Sequence, residues 1–518
     1  MTAATAFPFR APVEDILFSL NHVAGTDRLP DWDAGLAAEI IGHFAAFAEE
    51  RLAPLDASGD AEGCRLENGQ VRMPAGFAEA YAALAQGGWQ GLTAPQAHGG
   101  QGLDAAVLAG VSEIFSGANH AFQMIASLVP GAVSTLMRFG SADQQARLIP
   151  PLAEGRWLST MALTEPGAGS DLAAVRTRAR PDGDGWRLKG EKIFISGGGQ
   201  DLSEGILHLV LARTGAPEDG TRGLSLFSCL SHRADGAPNA VRVTRLEDKL
   251  GLHASPTCAL SFENAEAELV GAEGAGLAAM FAMMNHARLD VALQGVAHAA
   301  RGADIARRYA AERRQGRGPD GAPAMLDAHA DVARMIEEAD AWAVGSRALC
   351  HLTLVADHDP DRAALAAFMT PVCKVLGTEG GIRAADLAIQ VLGGYGYLRE
   401  YGAEQNWRDA RICSIYEGAN GIHARTTATR SLAFGGGAGA RAFAGFLRDS
   451  GIAAEEWEAE AHRIRALPDP AGEAHGFMRL TCGLAWAAAW ARIAERADAH
   501  PDPARIRALA RRAATMSV

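Results

Sequence analysis

The chain has no C-x-x-C pair and no histidines spaced H-x-x-x-H or H-E-x-x-H. Its seven cysteines, at 64, 229, 258, 350, 373, 413 and 482, are odd in number and scattered. Neither a disulfide framework nor a zinc site is indicated, so the cysteines read as reduced core residues and the sixteen histidines as core or surface side chains. The opening MTAATAFPFRAP lacks an apolar run of signal-peptide length, and no stretch approaches the ~20 uninterrupted apolar residues of a membrane span. A cytoplasmic location without membrane contact is the expectation. Positive charge is also in short supply, with a formal net charge of −13, which argues against a broad phosphate-binding surface and against nucleic acid as the main partner. No solenoid-type repeat is present.

What the chain does have is apolar content, 48% of its residues, with 21% charged, the balance of a globular protein. At 518 residues it exceeds what one core usually organises, so several domains are expected. Residues 1–155 read as an all-helical domain: DAGLAAEIIGHFAAFAEERLAPL places Leu36, Ile40, Phe44 and Phe47 at helical spacing and stops at Pro54. From 156 to 272 the texture changes to short alternating or β-branched runs, such as WLSTMAL, GWRLKGEKIFIS, ILHLVLA and TCALSFE, separated by turn residues. With no helices of crossover length between them, the strands are expected to be antiparallel. Three long helical patterns fill 273–434 and suit an antiparallel bundle, with a fourth helix expected after Glu417. FGGGAGA, at 434–440, reads as a flexible hinge before a helical extension over 435–518.

Two stretches carry candidate chemistry. RICSIYEGANGIHA, at 411–424, sets Glu417 between an apolar run and Gly418, where a core segment would carry a hydrocarbon. MALTEPGAGSDLAAVRTRAR, at 161–180, holds Gly167, Gly169 and Ser170 in a loop whose backbone N–H groups could approach an anion or a polar ring edge. A dinucleotide-binding reading of GAGSDL fails on context, since Leu172 replaces the third glycine and an alternating segment follows where a helix would be needed.

ALTEPGAGSDL resembles the first signature of acyl-CoA dehydrogenases, and QVLGGYGYLREY with RDARICSIYEGANGI resembles the second. The likeness spans about 30–434. The N-terminal FRAPVEDILFSLNHV, the segment KIFISGGGQDLSEGILHLVLAR and the tail are most similar to the longer bacterial 3-methylmercaptopropionyl-CoA dehydrogenase-like members. The resemblance implies a helical domain, a small antiparallel β domain and a C-terminal four-helix bundle, with non-covalent FAD between the β domain and the bundle. By position in the motifs, it places Leu163, Thr164, Gly169 and Ser170 at the flavin, with Phe194 and Ser196 against the ring. Arg313, Gln390, Gly393 and Gly394 would serve the FAD of a neighbouring subunit, and Ser170, Arg288, Tyr416 and Gly418 the substrate. Ala419 and Gly421 stand where relatives often carry cofactor-binding Thr and Gln, a loss that Asn420 could make good.

The implied reaction is α,β-dehydrogenation of an acyl-CoA thioester, with Glu417 as the base. Its apolar neighbours Ile415 and Tyr416 should raise its pKa toward working pH. Electrons would pass to an electron-transfer flavoprotein, and the enzyme would be a homodimer or homotetramer. The alternatives are an acyl-CoA oxidase with the same base and flavin, or a non-catalytic flavoprotein of this fold binding DNA or protein. The extension after 434 is expected to buttress the bundle or a subunit contact.

Overall fold

A computed structural model describes residues 6–318 and 321–518, those at 285 and 286 without their side chains, so the first five residues of the N-terminal stretch lie outside it. The chain forms two compact units. One gathers Met1–Pro54, Asp104–Ala118 and Arg288–Val518, and the other Leu55–Leu103 and Asn119–Ala287.

The second unit is built on seven strands: β1 (Trp157–Ala162), β2 (Arg178–Asp182), β3 (Gly185–Ser196), β4 (Gly205–Arg213), β5 (Leu224–Leu230), β6 (Val241–Leu246) and β7 (Thr257–Val270). Pairing runs β1–β4–β2–β3–β7–β5 and returns from β5 to β4, with β6 beside β7, so the sheet closes on itself. β4 is buried at every position, and its Val210 and Ala212 meet Phe227, Leu260 and Phe262 in the core. The expectation of purely antiparallel strands fails at β1 and β4, which pair in parallel from Trp157↔Gly205 to Ala162↔Val210, and again where β4 meets β2 at Arg178↔Arg213. The reason is topological: the loop after β1 and the β2–β3 hairpin carry the chain back to its starting end, doing without a helix what a crossover helix usually does. Nor is the N-terminal region all-helical, since Arg65–Glu67 and Gln70–Arg72 form a small hairpin. In the helix Ala34–Phe47, of the other unit, the buried stripe is Ala37, Ile41, Phe44 and Ala45, and Leu36 faces solvent.

In the first unit, helix α1 (Gly276–Glu312) contributes from Arg288 onward, followed by α2 (Ala330–Asp357), α3 (Ala363–Leu392) and α4 (Asn420–Thr426). α1 and α3 approach almost backbone to backbone. A Cβ on Gly295 would lie 2.2 Å from the Gly377 carbonyl oxygen, and one on Gly381 would lie 2.4 Å from that of Gly295. Only glycine permits this spacing, and it brings the side chains on the neighbouring turns of the two helices within reach of each other.

The extension enters the same core. Trp486, on α5 (Ala474–Glu495), packs on Trp342 with ring centroids 4.8 Å apart, and Trp457 packs edge-on to Phe368. Arg505, on α6 (Pro503–Ala513), donates to Asp15 at 2.7 Å and to Asp340 at 2.6 Å. The glycine run, read from composition as a hinge, takes one defined path in the structure. Gly435, Gly436 and Gly437 all take positive φ and form an ordered turn, closed by Arg441 Nη1 donating to the Gly436 carbonyl at 2.7 Å.

Candidate active site

The helical turn Arg411–Ser414 ends before Glu417, and α4 begins at Asn420. Between them the backbone turns sharply, with Glu417 at φ 52° and Gly418 at φ 93°. The glycine is obligatory, because a Cβ there would lie 2.9 Å from His423 Nε2. Glu417 is not, and a glutamate in left-handed space stores strain that its surroundings must hold. They do so through two carbonyls. His423 Nε2 donates to the Glu417 oxygen at 3.1 Å, and Lys374 Nζ on α3 donates to the Gly418 oxygen at 2.8 Å. Lys374 also donates to Asn420 Oδ1 at 2.9 Å, while Asn420 Nδ2 donates to Thr378 Oγ1 and Glu379 Oε1. The Asn420 amide is thus engaged inside the chain rather than offered outward to a cofactor.

Among the described residues, no donor is within hydrogen-bonding distance of the Glu417 carboxylate, and its backbone N–H makes no hydrogen bond. Burial pushes its pKa up to about 7, against the pull of Arg288 and then Lys374, with Asp290 pushing the same way as burial. Ile415 is 49% exposed, so the apolar surroundings come from the bundle rather than from that neighbour. Burial also takes Lys374 down to about 8 and His423 down to about 3, which leaves the imidazole neutral. The Tyr416 hydroxyl donates to Gln294 Oε1, Gln294 Nε2 donates to Asp290 Oδ2 at 3.1 Å, and the Ser112 hydroxyl donates to Asp290. Tyr416 therefore turns its polar end into the bundle. Arg288 is half-buried, and the Glu417 carboxylate acts on it against the downward pull of burial on its pKa.

The remaining residues of this unit form a separate, exposed group. The Arg313 guanidinium lies 5.6 Å from the Tyr395 ring centroid. Gln390, Gly393 and Gly394 close the end of α3, where Gly393 N donates to the Gln390 carbonyl and no atom lies within 4 Å of a Cβ placed on either glycine.

In the other unit, Lys192 Nζ holds the Leu163 carbonyl at 2.7 Å and Glu165 Oε1 at 2.8 Å. Ile193 N donates to the Thr164 carbonyl at 2.9 Å, which brings the loop after β1 beside the end of β3. There the β3–β7 register slips by one residue between Lys192 and Ile195, and the bulge puts Phe194, at φ 59°, outward with 60% of its surface exposed. Ser196 follows, half-buried, and Gly169 and Ser170 are exposed. A Cβ on Gly167 or Gly169 would meet nothing within 4 Å, so the loop is an open backbone cradle.

Three family models cover most of the chain: the acyl-CoA dehydrogenase N-terminal domain at 37–156, the middle domain at 160–265 and the C-terminal domain at 274–432. The chain is 40% identical over 480 residues to the 3-methylmercaptopropionyl-CoA dehydrogenase of Ruegeria pomeroyi, covering 88% of this chain and 82% of that one. This chain belongs to the acyl-CoA dehydrogenase family. It is also 35% identical, over 80% of its length and 74% of the relative's, to the broad-specificity linear acyl-CoA dehydrogenase FadE5 of Mycobacterium tuberculosis. In fold it is similar to Caenorhabditis elegans ACDH-11 in complex with C11-CoA, with a TM-score of 0.81 at 20% identity over 99% of this chain and 93% of that one, so the likeness takes in the C-terminal extension. The family's members are FAD flavoproteins. The open cradle at Gly167 and Gly169 and the uncovered Phe194 ring fit such a group.

Motif reading did not reach Lys374, Asp290, Gln294 or His423. One signal was available for Lys374, which is the only lysine between residues 250 and 518 and stands in an apolar helix.

Proposed function

We propose that the chain catalyses α,β-dehydrogenation of an acyl-CoA thioester to the 2-enoyl-CoA, with Glu417 as the base that removes the Cα proton. The observation that carries this reading is the Glu417 carboxylate, left without a partner among the described residues and buried enough that its pKa rises to about 7, near the value a base needs to work at neutral pH. FAD, when bound, supplies the acceptor for the hydride that leaves Cβ. The unengaged N–H of Glu417 is available to the thioester oxygen as negative charge develops there. Arg288 favours the ionised carboxylate before the proton arrives, and Gly418, at φ 93°, permits the turn that carries it. Leu163, Thr164, Gly169, Ser170, Phe194 and Ser196 would hold the flavin. The exposed Arg313, Gln390, Gly393 and Gly394 would reach the cofactor of a second copy in a homodimer or homotetramer. Electrons would pass to an electron-transfer flavoprotein in the cytoplasm.

The test is anaerobic titration with 3-methylmercaptopropionyl-CoA, butyryl-CoA and longer acyl-CoAs. Flavin bleaching by at least one is expected, and Glu417→Gln should keep FAD yet slow that reduction by about 10²- to 10⁴-fold. Reduction of the variant at near wild-type rate would remove Glu417 from the role. Peroxide release in air would favour the oxidase.

A further inference from the structure

The chain has four lysines, at 189, 192, 249 and 374, against 44 arginines. Such a sequence keeps its cations as arginine almost everywhere, so a lysine marks a place where a compact ammonium does what a guanidinium fork would not fit to do. Three of the four turn inward onto loop carbonyls. Lys192 holds that of Leu163, Lys249 those of Leu252 and Ser255, and Lys374 that of Gly418.

Lys374 is the unusual one. Its side chain is fully buried, and among the described residues no carboxylate lies within ion-pair distance of it. A buried ammonium held only by neutral oxygens is costly to keep, so its presence needs a reason beyond stability. The groups around it are Arg288 and Asp290 from α1, Glu379 from α3 itself, Cys413 and Tyr416 from the turn before the base, and His423 from α4, with Arg430 beyond them acting on Arg288. Glu379 is tied to Asn420, and Asp290 to Gln294 and Ser112. Glu417 is the carboxylate left without such a tie.

We infer that Lys374 is a positioning residue for the base: its ammonium grips Gly418 and Asn420, holding Glu417 in its left-handed turn, and its positive charge favours the ionised carboxylate. The inference rests on Glu417 being the base. An uncharged donor could do the first task but not the second, which separates the two in experiment.

The experiment is stopped-flow flavin reduction of the FAD-loaded full chain across pH 5.5–9.5, using whichever of 3-methylmercaptopropionyl-CoA or butyryl-CoA reduces the wild type faster. Lys374→Met removes grip and charge, and Lys374→Gln keeps a donor without charge. In both, the acid limb of the rate should move up by about one pH unit, since an opposite charge lost from beside a carboxylate lets it hold its proton more tightly. Lys374→Gln should retain more of the high-pH plateau than Lys374→Met. A limb that stays in place in both variants overturns the inference, because a merely structural lysine would lower the plateau alone. Should neither neutral variant fold, Lys374→Arg is read instead: it keeps the positive charge, so the acid limb should stay where the wild type has it, and a limb raised by about one pH unit although the charge is kept overturns the assignment. Glu417→Gln is run alongside. If it reduces at wild-type rate, the base reading itself has failed; if it is slow while the limb of the neutral variants is unmoved, only the role of Lys374 has.

Discussion

Each unit carries a loop pinned by a buried lysine next to a glutamate, and the two glutamates meet opposite fates. In the β unit, Glu165 takes Lys192 at 2.8 Å, Arg176 N at 2.7 Å and Thr177 N at 3.0 Å. Its pKa is lowered despite burial, because Lys192 and these hydrogen bonds together outweigh desolvation. In the helical unit, Lys374 spends its hydrogen bonds on Gly418 and Asn420, and the Glu417 carboxylate receives none from the described residues. There desolvation wins and the pKa climbs to about 7. The same pair of residue types thus makes a staple in one place and a candidate base in the other. What decides is which oxygen the ammonium holds, the carboxylate's or the backbone's.

The largest expected effect on stability falls on the staple. Glu165→Gln leaves the Lys192 ammonium, fully buried, without its counter-charge, and breaking such a pair typically destabilises by about 3–5 kcal/mol. Denaturant unfolding should show this, with loss of FAD as the Leu163–Ser170 loop comes free. A cost near zero would mean that Glu165 is no staple, and the contrast with Glu417 would lose one side.

A second effect is slightly smaller and has a definite sign. The native state raises the Glu417 pKa from its ordinary value near 4.5 to about 7, so it binds that proton more tightly than the unfolded chain does. Stability therefore falls as pH rises from about 4.5 to about 7, and above that window the penalty is full, about 3 kcal/mol for a shift of this size. Glu417→Gln imitates the protonated acid and escapes the penalty. The variant should be the more stable form at pH 8 and equal to wild type at pH 4, as measured by denaturant midpoints at the two pH values. Equal stability at both would mean that Glu417 is as well solvated as a surface carboxylate.

Much of this contrast was legible in the residues before the fold was known. ALTEPGAGSDL and IYEGANGI stand out locally because glycines and a carboxylate sit where apolar residues would be ordinary, and the long helices announce themselves by spacing. The partners of Glu417 did not, because they are tertiary. Lys374 lies one turn before Gly377, and it reaches the loop after Glu417 only because Gly295, Gly377 and Gly381 let α1 and α3 touch. The parallel pairing of β1 with β4 was hidden for a similar reason. A hairpin stood in for the crossover helix, and strand direction is fixed by path rather than by composition. Leu36 and Ile40 show the limit of periodicity, since a helix rich in alanine offers two apolar stripes and packing chose the one through Ala37 and Ile41.

The smallest effect tests the backbone beneath the contrast. Glu165 joins a short bridge with Ala168 and takes no positive φ, while Glu417 is held at φ 52°. Left-handed space costs an L-residue roughly 1–2 kcal/mol, and glycine is free of that cost but loses about 0.5–1 kcal/mol through the greater entropy of its unfolded chain. At pH 4, where the carboxyl is protonated and the charge penalty is absent, Glu417→Gly should therefore be more stable than wild type by about 0.5–1 kcal/mol. Glu417→Ala serves as the control: it keeps the Cβ, and so the strain, while losing the same carboxyl. Glycine above alanine in denaturant midpoint would show that Lys374 and His423 hold the base against its own backbone preference. Alanine equal to glycine would show that the turn is comfortable for any residue, and the two carbonyl clamps would then be orienting a loop that needed no restraint.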